Sequence, residues 1–315
     1  MKNFETPLAI TMGDPSGIGP EIILKSVVET KLNNFLIFGD SLVFDSLIKS
    51  LGLPLTINKI SELSEAIFEE DYINLFETSK LNHLPHYGKI SKECGKASFD
   101  AIMKSIELAK QGKVSGIVTA PISKKALNLA HINYPGHTEI LAGYSNNKAV
   151  SMMLLNKHIK TVLVTLHCSM KQALDRITIQ NELDAIINAD LGCKLFGIEK
   201  PVIAVAALNP HAGENGLFGN EEKKIIEPAI KLAQDMGINA IGPFPGDTVF
   251  MNAKNGKYDI VVSQYHDQGL IPIKYEGIDA VSYTHLRAHE TPENRGFRLG
   301  LLKKKGGGGG GGGGG

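Results

Sequence analysis

The chain has 315 residues, 43% of them hydrophobic, with 33 basic side chains against 33 acidic ones and three cysteines. That length exceeds the usual single domain, and the apolar content suffices for a sizeable core, so two α/β lobes are expected. No apolar run reaches the roughly 18 residues that a membrane-spanning helix needs, no secretory signal is expected ahead of the first strand, and Cys94, Cys168 and Cys193, lacking metal or redox spacing, point to a reducing cytoplasm.

Taken along the chain, residues 8–12 form a short apolar strand. The Gly-Asp-Pro-Ser-Gly-Ile-Gly-Pro-Glu segment at 13–21 follows, and then a helix to about residue 29, with Pro20 well placed near its start. Residues 35–40 are a second strand. Residues 52–92 alternate weak strands and polar turns. An amphipathic helix covers 97–110, and a strand at 114–121 ends in a loop. Strands follow at 150–155 and 161–166, a helix at 181–195, a strand at 201–208 and a long amphipathic helix at 221–236. Residues 240–247 are a strand turning into a loop, and 258–265 are the last clear strand. Strands alternating with helices predict a mainly parallel sheet.

From about Ala280 the character of the chain changes. Residues 281–291 read like the translation of a transposon-based sequencing adapter. Lys303-Lys304-Lys305 and Gly306 to Gly315 read like poly-A followed by poly-G. Residues 281–315 are therefore expected to be a non-native, disordered tail. Six of the 33 basic and two of the 33 acidic residues lie in it, which leaves 27 against 31, net −4, in 1–280. No basic patch for nucleic acid remains.

Three hydrophobic runs end in histidine: Leu163-Val164-Thr165-Leu166-His167, Val205-Ala206-Ala207-Leu208-Asn209-Pro210-His211 and Val261-Val262-Ser263-Gln264-Tyr265-His266. In open α/β sheets the ligand crevice lies at the carboxyl ends of the strands. Three imidazoles there suit a divalent metal that keeps one position open for substrate. A single histidine at a strand end is more simply a polar terminus. Three of them, beside Asn-Pro-His-Ala-Gly-Glu and His-Asp-Gln-Gly, favour a metal site. Asp247 or Asp267 is placed to orient one of them.

The 13–21 segment is rich in glycine and precedes a helix, which suits an anion or simply a tight turn. It is not G-x-G-x-x-G, so an ordinary Rossmann site is excluded. Thr119-Ala120-Pro121-Ile122-Ser123-Lys124-Lys125 suits phosphate or carboxylate recognition, or a solvated helix start. Gly136-His137-Thr138-Glu139 offers an imidazole and a hydroxyl before a helix, where Thr138 alone reads as a cap. Lys274 suits a substrate carboxylate or phosphate, or a plain surface position.

Together, and in this order, these motifs closely resemble the 4-hydroxythreonine-4-phosphate dehydrogenase family of pyridoxal phosphate biosynthesis, over residues 8–277. The resemblance implies an isocitrate/isopropylmalate dehydrogenase-like fold with two α/β lobes and the active site in the cleft between them. It implies a first lobe over 1–130 with a return segment at 271–280, and a second lobe over 131–270 that carries the metal ligands and dimer contacts. It implies His167, His211 and His266 as ligands of one divalent metal (Zn, Mg or Co) in a site completed across a homodimer. It also implies His137, Thr138 and Lys274 as substrate-binding residues, and NAD or NADP as hydride acceptor. The family's Asn, Arg and Asp-His-Gly loop beyond Gly277 are replaced here by the adapter-like residues. Two other functions fit the same motifs. One is a dehydrogenase of 4-phosphorylated threonate or erythronate. The other is a phosphate-ligand binding module without catalysis.

Overall fold

The computed structural model describes residues 6–144, 150–276 and 281–286. They divide into two compact units, one running to His137 and the other starting at Thr138. The sequence places this change at 130/131.

The first unit contains β1 (Leu8–Thr11), α1 (Gly19–Thr30), β2 (Phe35–Gly39), α2 (Ser41–Leu51), β3 (Thr56–Ile60), β4 (Tyr72–Glu77), α3 (Lys92–Lys110), β5 (Gly116–Thr119) and α4 (Lys124–Leu129). The strands pair in parallel, in the order β3-β4-β2-β1-β5. Parallel strands covered on both faces need apolar residues at every position, and β2 supplies them. Phe35 and Ile37 pack into one buried cluster, Leu36 and Phe38 into the opposite one. Helix α2 is not among the elements expected from the sequence. It packs a stripe of Val43, Phe44 and Leu47 into the core and is fixed at its start by a cap: Asp40 Oδ1 accepts from Leu42 N at 3.0 Å, while Oδ2 accepts from Leu81 N at 2.8 Å.

The 13–21 segment is a turn that satisfies itself. Asp14 is buried, and its Oδ1 accepts from Ser16 N and Ser16 Oγ at 2.9 and 2.7 Å. Asp14 N donates to Pro121 O at 2.8 Å, tying the turn to the end of β5. The close approach depends on Gly13, which has φ +73° and whose missing Cβ would fall on the backbone of Ala120 and Pro121.

The second unit contains α5 (His137–Tyr144, whose first residue ends the first unit), β6 (Val150–Leu155), β7 (Lys160–Leu163), α6 (Met170–Arg176), α7 (Ile179–Leu195), β8 (Ile203–Ala206), α8 (Glu227–Asp235), β9 (Ala240–Phe244), α9 (Gly246–Lys254), β10 (Ile260–Ser263), α10 (His266–Tyr275) and β11 (Val281–Leu286). Its sheet runs β11-β6-β7-β10-β8-β9. The last four strands in that order are parallel; β6 is antiparallel to β7, and β11 to β6. One face packs on α7 and α8 through Val162, Val205 and Val262. The other packs on α9 and α10 through Leu163, Ala204 and Val261.

Four features differ from the sequence expectation. The helix expected over 221–236 begins with a π turn at Glu222–Ile226 before α8. Pro228 has no N–H to give and its ring crowds the carbonyl four residues back, which widens the turn. Residues after Pro245 form α9 rather than a loop. The return of 271–280 to the first lobe is not seen for Ile271–Tyr275, which lie in α10 and pack against β7 and β10; residues 277–280 fall outside the described residues. Finally, the first part of the expected disordered tail, Val281–Leu286, is a strand paired with β6 along its whole length. Backbone pairing is indifferent to much of the side-chain sequence, and Val281, Tyr283 and Thr284 are strand-favouring types. The rest of the expected tail, 287–315, lies outside the described residues.

Gly13→Ala should destabilise the protein by about 2 kcal/mol or more, because the added carbon meets backbone at a left-handed position. Urea unfolding of the two proteins measures this, and an unchanged midpoint would mean that the turn relaxes freely.

Candidate metal and substrate site

β7, β10 and β8 are adjacent and parallel, so the three histidine-bearing exits leave the sheet at the same edge. His266 is the first residue of α10, which starts directly after β10. His167 follows β7, and its ring centroid lies 5.6 Å from that of His266 at a 47° tilt. Beside this pair is a cleft of about 530 Å³ lined by residues from 165–173 and 265–267, including Thr165, His167, Cys168, Tyr265 and His266. His266 Nδ1 lies 2.7 Å from Asp267 Oδ1. A carboxylate there holds the proton on Nδ1 and leaves Nε2 with the lone pair that a metal takes. Among the described residues Asp267, and not Asp247, is the carboxylate that meets one of the three histidines.

His211 stands apart. The segment Pro210–Gly216 turns left-handed, with φ of 51°, 54°, 77°, 42° and 58° from His211 to Asn215. Only Gly213 among them adopts this freely; the other four cost about 1–2 kcal/mol each. The turn is held by its neighbours. Buried Glu222 accepts from Leu208 N, Asn209 N and Asn209 Nδ2 at 3.0, 2.7 and 3.0 Å. Glu221 accepts from Asn209 Nδ2 at 2.7 Å, a bond that, with others, keeps its carboxyl below the usual range. Lys223 Nζ donates to Asn215 O at 2.9 Å. His211 is exposed, with Phe218 as its ring neighbour at 6.4 Å. Among the described residues, no three metal-binding side chains of one chain converge. The structure brings His167 and His266 together and leaves His211 on its own turn.

Of the three residues expected to bind substrate, His137 and Thr138 open α5 and are half-buried, and Lys274 is exposed in the last turn of α10. Thr138 lies inside the first turn of α5, so it is not the cap. Thr138 and Lys274 are not in the lining of the cleft beside His167.

The sequence patterns do not single out the glutamines that tie the exits together. Gln264, fully buried on the exit of β10, donates Nε2 to Ala206 O at the end of β8, at 2.8 Å. Its main-chain carbonyl accepts from Thr165 Oγ1 on the exit of β7, at 2.8 Å. Its N–H donates to Gln268 Oε1 at 2.7 Å, and Gln268 Nε2 reaches Ala207 O at 2.7 Å. All three exits are thus cross-linked a few residues before their histidines. The signal available was the Tyr-His-Asp-Gln-Gly motif, whose Gln268, with Gln264 just before the motif, reaches across to the exit of β8.

The profile of the family described as "Pyridoxal phosphate biosynthetic protein PdxA" matches residues 31–285. A relative named 4-hydroxythreonine-4-phosphate dehydrogenase, from Beijerinckia indica, is 51% identical over 280 residues, 89% of this chain and 83% of its own. D-threonate 4-phosphate dehydrogenase from Salmonella typhimurium is 40% identical over 88% of this chain and 86% of its own. The crystal structure of 4-hydroxythreonine-4-phosphate dehydrogenase from Klebsiella pneumoniae superposes with a TM-score of 0.77 at 35% identity, covering 92% of each chain. The match spans both sheets and the three histidine-bearing exits, and on it the chain belongs to the PdxA family of pyridoxal phosphate biosynthetic proteins.

Proposed function

We propose that the chain encodes an NAD(P)-dependent, metal-dependent dehydrogenase that oxidises the C3 hydroxyl of 4-phosphooxy-threonine. Hydride leaves C3 for the nicotinamide and the hydroxyl proton is released. The 3-keto acid then loses its carboxyl group as CO₂, giving 3-amino-2-oxopropyl phosphate. The two units, one running to His137 and the other from Thr138, are read as the lobes of an isocitrate/isopropylmalate dehydrogenase-like fold. The observation that carries this reading is the pairing of His167 and His266 at adjacent parallel strand ends, with Asp267 on Nδ1 of His266.

Two imidazoles 5.6 Å apart beside an open cleft fit a nitrogen-ligated divalent ion, and His211, carried outward on its own turn, is suited to complete the set in a neighbouring protomer. The site is therefore read as shared across a homodimer. A Zn, Mg or Co ion held there supplies a Lewis acid for the charge that develops on the C3 oxygen. His137 and Thr138 orient the substrate, and Lys274 grounds its phosphate or carboxylate as a mobile point charge. NAD and NADP are both compatible with the missing Rossmann fingerprint. Several relatives at about 40% identity are named for D-threonate 4-phosphate, so that substrate, which lacks the amino group, is the second reading. Turnover of the two synthetic substrates compared side by side decides between them.

His167→Ala, His211→Ala and His266→Ala should each strip the protein of bound metal, and Asp267→Asn should weaken metal affinity about tenfold. Metal content after dialysis, by emission spectroscopy, is the measurement; undiminished metal in His211→Ala would sink the triad. Lys274→Ala should weaken substrate binding about tenfold while leaving metal content intact, and calorimetric titration with substrate checks it. Residues 1–315 should reduce NAD(P)⁺ far more slowly than the same chain with a relative's C-terminal segment in place of 281–315. Equal rates would show that the adapter-like tail is tolerated.

A further inference from the structure

The turn that carries His211 is too strained to stand by itself, and the side chain that holds it has no part in the proposed chemistry. His211, Ala212, Glu214 and Asn215 are left-handed without being glycine. L-residues visit that conformation singly and do not keep it in a run. At the entry to the turn three N–H donors, on Leu208 N, Asn209 N and Asn209 Nδ2, converge on Glu222. This buried residue uses both oxygens: Oε1 takes the two main-chain donors, at 3.0 and 2.7 Å, and Oε2 takes the amide, at 3.0 Å. Oε2 also stands where a side chain at Gly213, in the middle of the turn, would lie. The far end is held by the next residue, Lys223, whose Nζ donates to Asn215 O at 2.9 Å. Lys223 is exposed and its bond competes with water, so the weight falls on Glu222.

We propose that Glu222 is a positioning residue for His211: its carboxylate keeps residues 211–215 left-handed and so fixes where the imidazole stands. This deepens the reading of His211 as a metal ligand and rests on that reading only for what the imidazole does.

The clamp is chemically selective. Only an acceptor with two oxygens and no proton meets all three donors. Glutamine at 222 would keep one oxygen for the main-chain donors and set an NH₂ group against Asn209 Nδ2. Asn209 cannot turn its amide round to accept from it. The same Nδ2 donates to Glu221 Oε2 at 2.7 Å, and a flip would set oxygen against carboxylate there. Leucine at 222 would leave all three donors without an acceptor, and the left-handed run would lose what holds it at its entry. The loss is local, because Ile226, four residues along in the same buried row, packs the π turn into the core independently.

The test uses the full chain, first without metal. In the parent, the amide-to-α-proton couplings and Cα shifts of residues 211–215 should report positive φ. Glu222→Leu should move them to the values of right-handed backbone. Glu222→Gln, which keeps the two main-chain bonds, should move them part of the way. Ile226→Val weakens the same row of the core and should leave them in place. Cobalt affinity should then fall about 10- to 100-fold for Glu222→Leu and by less for Glu222→Gln. Ile226→Val should bind cobalt like the parent despite its lower thermal midpoint. The proposal is overturned if residues 211–215 keep positive φ in Glu222→Leu. It is equally overturned if Ile226→Val lowers cobalt affinity as much as the Glu222 variants do, since Glu222 would then act through stability alone. A parent whose cobalt affinity is untouched by His211→Ala fails the metal reading alone, and the metal-free spectra still decide the role of Glu222. If Glu222→Leu does not fold, Glu222→Gln decides, and parent-like spectra in it overturn the proposal.

Discussion

Three parallel strands can deliver three side chains to one edge of a sheet only if their exits are held in register beyond the last ladder bond, and here that is the work of two glutamines, Gln264 through its side chain and main chain and Gln268 through its side chain. Past Ser263, Val162, Val205 and their neighbours, the strands diverge into different connections. Gln264 reaches one way to Ala206 O and receives Thr165 Oγ1 from the other side, while Gln268 repeats the link to Ala207 O. Each bond is modest in net terms, about 1 kcal/mol, but Gln264 and Thr165 are buried, and leaving one of their bonds unmade costs its desolvation as well. Thr161 Oγ1 and Ser263 Oγ, 2.6 Å apart, extend the same polar seam back into the sheet. The seam fixes where the histidine-bearing segments start; the connection beyond each exit decides where its imidazole ends up.

Those connections differ in kind. After β10 the chain enters α10 at once, so His266 inherits the rigidity of a helix start and has Asp267 on its ring. After β7 a short loop carries His167 back toward it. After β8 the chain takes a left-handed turn, a costly conformation for His211, Ala212, Glu214 and Asn215. The cost is offset by Glu222, which gathers three N–H donors with one buried carboxylate, and by the absence of a Cβ at Gly213, which would sit 2.7 Å from Glu222 Oε2. A segment this heavily constrained holds an exposed imidazole on a defined turn. Two histidines beside a cleft and a third exposed on a separate turn accord with the proposed sharing of the site between protomers.

The parts of this arrangement that were legible in the sequence are those with a period. Apolar runs marked β1, β2, β5, β7, β8 and β10, and the histidines at three of their ends pointed to one edge of a sheet. What had no period stayed hidden. Helix α2 is the exception, for its buried stripe of Val43, Phe44 and Leu47 does have a helical period, over only 11 residues. The π turn before α8 follows from Pro228, yet a proline near a helix start ordinarily reads as compatible with a regular first turn. Gln264 and Glu182 look like any polar residue in a strand and any acidic residue near a helix start; only the packing shows both to be fully buried. The approach of His167 to His266 is likewise a matter of strand order, β7 beside β10, which no local pattern encodes.

Strand β11 shows the same division from the other side. Its residues carry the adapter-like sequence, yet Val281 to Leu286 pair with Leu155 to Val150 in unbroken antiparallel register. A sheet edge offers N–H and C=O groups that any strand-compatible segment can meet, so a foreign sequence can complete the ladder. The family profile likewise extends to residue 285, to within one residue of where the strand ends. Backbone pairing is the least sequence-dependent of the interactions in this molecule, and site chemistry the most. A substituted segment can therefore keep the sheet whole while supplying none of the Asn, Arg or Asp-His-Gly groups expected from the resemblance. On the proposed reading fold and activity are separable in this chain, because the sheet edge accepts any strand-compatible segment, whereas the proposed chemistry needs particular side chains.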